Sequence, residues 1–178
     1  MTENRPKTPA EEKEDTMTAD TTHLTGHAPD TSDFGSLYAE VQQFYAHQMQ
    51  LFDRHEAERW AATFTEDAVF SVPTLDSPVH GRAELAANVH HNRARQEREG
   101  GQLRHWIGML DVDVRPGGVL HTRAYALVFA TPRGGVPVVS RFCVMADELV
   151  RCRGRLRVRS RVVSRDDLTA GYPAPVLV

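Results

Sequence analysis

Leu37, Val41, Phe44, Tyr45, Gln48 and Phe52 recur three and four residues apart, so the stretch from Phe34 onward predicts an amphipathic helix. Asp53, followed three residues later by Glu56, has the form of a capping box with Asp in place of Ser or Thr, and it predicts a second helix through Trp60 to Phe64. The run AVFSV at 68–72 is short and β-prone and stops at Pro73, and TLDSPVHG after it reads as a turn-rich loop. Residues 82–98 set Leu85, Ala86 and Val89 among Arg, Glu and Gln, the pattern of a third helix ended by Gly100 and Gly101. Beyond it, β-prone runs near 103–114, 119–131, 136–150 and 155–166 are separated by RPGG, PRGG and CRG, hairpin connections in which glycine supplies positive φ. Three helices followed by a strand meander predict an α+β domain whose curved, mainly antiparallel sheet wraps around its helices.

Composition narrows this picture. Residues 1–33 contain no aromatic side chain and many acids, Thr and Pro, so they cannot bury enough surface to offset chain entropy and are expected to be a disordered tail. The domain is then expected over 34–168, with 169–178 as a C-terminal tail. No apolar run approaches a membrane span, and the N-terminal residues lack the apolar stretch of a secretory signal, so neither a membrane nor export is expected. A net charge of −3 argues against nucleic acid as a partner. All but two of the 21 basic residues are arginine, a bias of composition rather than a patch. Cys143 and Cys152 form neither a disulfide framework nor a CxxC motif and suit a reducing cytoplasm.

The order of these elements, with FDRHEAERWAATFTEDAVFSVP, LRHWIGMLDVDV and GRLRVRSRVVSRDDL, resembles the SnoaL-like branch of the NTF2-like superfamily over about residues 34–168. The LRHW stretch and the Arg-rich ending are most similar to actinomycete proteins that tailor aromatic polyketides of the actinorhodin type. The resemblance implies an NTF2-like conical barrel with an apolar pocket at its open end, and a homodimer formed through the convex sheet face. It implies a cofactor-independent acid/base enzyme of antibiotic biosynthesis, a dehydratase, cyclase or isomerase acting on an aromatic polyketide intermediate. The same fold also serves two other roles: a non-catalytic protein that shelters an unstable intermediate or supports an oxygenase, and the small subunit of a ring-hydroxylating dioxygenase.

Resemblance to scytalone-dehydratase-like proteins places Asp53 and His105 together in the pocket as the acid/base pair. Moving a proton beside a carbonyl asks for such groups. Asp53 is equally readable as a helix cap alone, and His105 as a strand histidine bonded to backbone. By ungapped reading, the water-holding tyrosines of those dehydratases fall at Phe52 and Val72, and their second histidine falls near Phe129, so that mechanism does not carry over whole. Tyr45 and Tyr125 are candidate phenols, with packing as the alternative for Tyr125. Strand and helix alternation nominates Phe70, Val72, Val89, Ile107, Met109, Phe129, Phe142 and Val144 as pocket lining, with Trp60 behind them. His90 and His91 diverge by about 100° on a helix, so at most one points fully inward, and His90 is the candidate. His121, at a strand start, is expected to be exposed. No histidine pair has a metal-ligand spacing, and no metal is expected. Arg123 and Arg141 interrupt apolar strands; either faces inward to bind a carboxylate or phenolate, or points outward. The ladder Arg151, Arg153, Arg155, Arg157, Arg159, Arg161 is expected on the outward sheet face.

Overall fold

The computed structural model describes Met1 and residues 31–168. Residues 2–30 of the expected N-terminal tail, and the tail expected at 169–178, lie outside the described residues. Helix α1 (Thr31–Asp53) begins slightly ahead of the expected boundary and turns Val41, Tyr45, Gln48, Met49 and Leu51 inward. It runs through Asp53, and His55, at φ 57°, ends it with a left-handed residue. The capping box does not form. Helix α2 (Ala57–Ala61) has Glu56 at its N-cap without a side-chain cap bond, because that carboxylate holds Arg54 at 2.6 Å and also Arg59. The Asp53 carboxylate is directed elsewhere.

Strand β1 (Phe64–Ser71) leads through a turn to the short β2 (Val79–His80), which lies within the segment expected to be loop alone. Helix α3 (Gly81–Glu99) follows. It opens at Gly81, with φ +70° and a hypothetical Cβ only 3.0 Å from the Glu66 carbonyl, a position only glycine fills without strain. It ends at Gly100 in the left-handed region, whose N–H donates to the Gln96 carbonyl. The meander β3 (Gly101–Val114), β4 (Leu120–Pro132), β5 (Val138–Cys152) and β6 (Arg155–Arg165) matches the predicted runs closely.

The sheet order is β2-β1-β6-β5-β4-β3. All neighbours are antiparallel except β1 and β6, which run parallel. The last strand therefore returns to the middle of the sheet beside the first. The curved sheet is open, with β2 and β3 as its edges. Its inner face packs on the helices through Phe64, Ala124, Met145, Leu149, Leu156 and Val158, against Val41, Leu51, Trp60, Leu85 and Val89.

Strand β6 departs from the alternation expected of it. The β5–β6 register shifts between Glu148 and Leu149, pairing Leu149 with Val158 but Glu148 with Ser160. One extra residue, Arg159, reverses the inside/outside phase of everything after it. Arg161, expected outward with the ladder, is therefore buried. Its guanidinium donates to both Asp147 oxygens at 2.8 and 2.6 Å and to Gln48 Oε1 at 2.6 Å. Gln48 in turn donates to Thr63. Among the described residues no helix is long and apolar enough to cross a membrane.

A candidate acid/base site beside the edge strand

Asp53 closes α1 where the helix end meets β3. Its Oδ1 lies 2.6 Å from His105 Nδ1, and its Oδ2 accepts the His105 backbone N–H at 3.0 Å. One carboxylate thus fixes both the ring and the strand that carries it. The two side chains, His105 and Asp53, are 17% and 8% exposed, so the pair is shielded without being sealed from solvent. With Nδ1–H donating to Asp53, the imidazole is held as the tautomer whose Nε2 carries a free lone pair. That nitrogen makes no hydrogen bond among the described residues. The Phe52 ring stands edge-on to His105 at 5.1 Å and lies 5.0 Å from the Trp60 ring, backing the histidine with apolar surface.

A cavity of about 320 Å³ opens between α1 and β3 next to this pair. Helix α1 contributes Tyr38, Gln42, Tyr45, Met49 and Asp53, one stripe at helical spacing; β3 contributes His105, Ile107, Met109 and Leu110. Strand β3 bulges here, since its pairing with β4 jumps from Gly108 to Asp111, and Met109 takes φ 50°. The bulge turns Leu110 inward and leaves Met109 on the cavity rim, 78% exposed. Tyr45 shows the cavity only part of itself. Its hydroxyl donates to Asp147 Oδ2 at 2.8 Å and accepts from Thr122, inside the Arg161 network. Burial, followed by the Asp147 charge, pushes this phenol well above its ordinary value, so it remains neutral.

The remaining nominated residues divide by register. Ile107 and Met109 line the cavity. Trp60 and Val89 are core; Phe70 packs edge-on to Trp60 at 6.3 Å, and Val72 is half-buried just past β1. Trp60 Nε1 is buried without a hydrogen-bond partner among the described residues. His105 faces Val128, whereas Tyr125 pairs with Gly108 and Val144, and Phe142 with Leu127. Tyr125, Phe129, Phe142 and Val144 consequently occupy the outer face of the sheet, away from His105. The phase of the alternation in these strands is the reverse of the one expected. His90 is exposed and bonds Glu58 at 2.8 Å, joining α2 to α3 rather than lining the cavity. His121, expected exposed, has a side chain only 10% exposed and sits 3.4 Å from Glu148, in an outer-face hollow of about 260 Å³ remote from Asp53. Among the described residues no three His, Cys, Asp or Glu side chains converge as metal ligands.

Sequence reasoning missed Tyr38, Gln42, Met49 and Leu110 as cavity residues, although the spacing of the α1 stripe was visible. It also missed Asp147, whose signal was an acid set inside the largely apolar run CVMADELV.

A SnoaL-like domain model matches residues 36–162. No curated protein matches the chain. Among solved structures, Aln2 from a Streptomyces species is 38% identical, with 75% of this chain and 93% of that one covered at a TM-score of 0.69. ActVI-ORFA from Streptomyces coelicolor is 34% identical over 75% and 99%, at 0.68. A Catenulispora acidiphila protein solved in complex with S-DNPA is 37% identical over 75% and 96%, at 0.65. An NTF2-like protein with a cystatin-like fold from Novosphingobium aromaticivorans, 21% identical at a TM-score of 0.65, shares the fold. The α+β architecture, the family model spanning most of the described chain and relatives above 30% identity agree: this chain belongs to the SnoaL-like family.

Proposed function

We propose that the chain is a cofactor-independent acid/base enzyme that dehydrates, cyclises or isomerises a hydroxylated ketone on the way to an aromatic polyketide. The observation that carries this reading is the double grip of Asp53 on His105, which leaves one imidazole nitrogen unengaged beside a cavity. In a dehydration, Nε2 takes the proton from the carbon next to the carbonyl, and the electron pair passes into the enolate. Asp53 stabilises the imidazolium that forms. The same Nε2–H then protonates the leaving β-hydroxyl, which departs as water while the enolate collapses to the conjugated ketone. The proton removed is the proton returned, so the cycle closes on these two residues. A relative of 37% identity binds S-DNPA, which supports small-molecule occupancy of the fold, and the motif resemblance supports a polyketide.

The test is incubation of the purified protein with hydroxylated naphthol and dihydropyran ketones, S-DNPA among the ligands tried, followed by absorbance and mass. Wild type should catalyse loss of one water or form an isobaric product. Asp53→Asn and His105→Ala should each lose at least about a hundredfold in turnover, the scale of general acid–base catalysis. Protection of substrate only in proportion to protein, unchanged in both variants, would replace catalysis by sheltering.

The proposal extends to a homodimer formed through the outer sheet face. Trp106, Tyr125, Val139 and Phe142 are 38–62% exposed there, with Leu127 and Val144 half-buried among them, an apolar patch of the kind that marks an interface. Light scattering should give twice the chain mass, reverting to the monomer in Trp106→Glu; a monomeric wild type at micromolar concentration sinks the idea. The free cysteines suit a cytoplasmic setting.

A further inference from the structure

Strand β3 meets the cavity with its unpaired edge, so backbone groups as well as side chains line it. In an antiparallel ladder alternate residues direct both N–H and C=O at the neighbouring strand, and the residues between them direct both away. Two bonds fix the phase. Arg133 N–H donates to the Gly100 carbonyl at 3.1 Å, one step before the Gly101–Pro132 pair, so Gln102, Arg104, Trp106 and Gly108 turn their backbone groups toward β4. His105, in the opposite phase, sends its N–H off the edge to Asp53 Oδ2 at 3.0 Å. The pairing is unbroken from Gly101 to Gly108, so Ile107 shares the phase of His105. Its N–H and C=O point off the sheet edge, on the side where the cavity lies.

Helix α1 clips this edge at two places and leaves the stretch between them open. Asp53 takes the His105 N–H, and three turns or so earlier on the helix the Tyr38 hydroxyl donates to the Leu110 carbonyl at 3.2 Å. Ile107 N–H is the next outward donor after that of His105, about 6.8 Å along the strand, and no side chain bonds it among the described residues. A half-buried N–H without an acceptor is costly unless something supplies one. The Tyr45 hydroxyl is committed to Asp147, and Gln42 and Gln50 bring their amides to the cavity on exposed side chains. When His105 Nε2 removes the proton beside a carbonyl, the charge collects on the carbonyl oxygen, while Asp53 and His105 are both occupied with the proton.

We infer that the Ile107 backbone N–H is the oxyanion donor of this site. It hydrogen-bonds the substrate carbonyl oxygen, and the bond strengthens as the α-proton passes to Nε2 and the electron pair moves onto that oxygen; no proton passes between Ile107 and the substrate. This rests on the acid/base reading above and adds the group that receives the charge. One strand then carries base and donor, His105 by its side chain and Ile107 by its backbone. Their separation is set by strand geometry, so the donor needs no rearrangement as the charge forms.

The test removes the N–H and leaves the strand. Proline is tolerated on an edge strand where its missing N–H faced outward, so Ile107→Pro is compared with Ile107→Val, which keeps the donor, and with Leu103→Pro, which deletes an N–H of the same phase outside the cavity. The probe is 2-naphthol, whose ionised oxygen stands in for the enolate, and absorbance follows its ionisation when bound. Relative to wild type, the pH of that ionisation should rise by about one unit in Ile107→Pro and stay put in the other two variants. On a ketone that wild type turns over, Ile107→Pro should lose about a hundredfold in kcat with KM little changed. If Ile107→Pro does not fold, an ester in place of the 106–107 amide, set against an ester at 102–103, makes the same comparison. The inference is overturned if 2-naphthol does not bind wild type, if its ionisation is unchanged by loss of the Ile107 N–H, or if the Leu103 control shifts it equally. A shift that depends on Ile107, in a protein with no turnover on any ketone, overturns the enzyme reading and leaves the oxyanion donor standing.

Discussion

Asp53 is the last residue of a helix and its carboxylate orients a histidine, a use invisible to local pattern. A capping box is a relation between residues three apart, whereas the bond to His105 joins residues 52 apart. The resemblance nominates the pair; the end-on meeting of α1 and β3 makes it geometry. Cysteine offers a simpler check at this scale. Burial pushes the Cys143 thiol up, while Cys152 is exposed. Since the thiolate is the species that reacts, iodoacetamide near pH 8 should label Cys152 in the native protein and Cys143 only after unfolding, as read by peptide mass. Raising the pH should bring Cys143 into reaction late, because its folded value lies above the ordinary one. Equal labelling of both at pH 8 would show that the inner face beside Arg141 is open to reagent.

At the level of elements, boundaries from α3 onward were easy, the α2–β1 junction was placed too late, and phase was hard. Helix α3 and the four meander strands fall within a few residues of their predicted positions, because hydrophobic period and glycine punctuation are local signals. Which face of β4 and β5 looks inward is decided by pairing and by bulges, and no short run of residues contains that information. Arg161 is the clearest case, since a single unpaired residue in β6 moves it from the surface into the most polar part of the interior. Its partnership with Asp147 sets up an expectation with opposite signs. Asp147→Ala leaves a buried guanidinium without its counter-charge and should destabilise the fold by about 3–5 kcal/mol in urea titration. The double change Arg161→Met with Asp147→Leu removes both charges and should be substantially milder than that single change. If the double variant is as unstable as the single one, the network acts through Tyr45, Thr122 and Gln48 rather than through the ion pair.

Across the whole molecule, the family pattern and the curved sheet around its helices were legible, and the identity of the edge strand was not. Three helices followed by four hairpin-linked strands restrict the architecture strongly, and the resemblance supplies the rest. The curved sheet wraps the helices as expected, and β3 forms its free edge, where the cavity opens. The functional consequence is direct. Asp53 and His105 sit at the rim, where α1 ends against the long edge strand β3, so a ligand can approach without parting the helices from the sheet.

The parallel pairing of β1 with β6 imposes an order of assembly. Phe64 lies opposite Val158, so the first strand to leave the ribosome waits for the last before it gains its central neighbour. Until then β1 has only the two-residue β2 beside it, and α1, α2 and α3 have no completed sheet to cover. During synthesis the nascent chain therefore exposes the apolar faces of three helices and one strand through most of its elongation, a setting in which long-range pairing is slow and aggregation competes. The final eleven-residue strand, which carries Arg161 into place, acts as the keystone whose arrival converts a collection of elements into a domain.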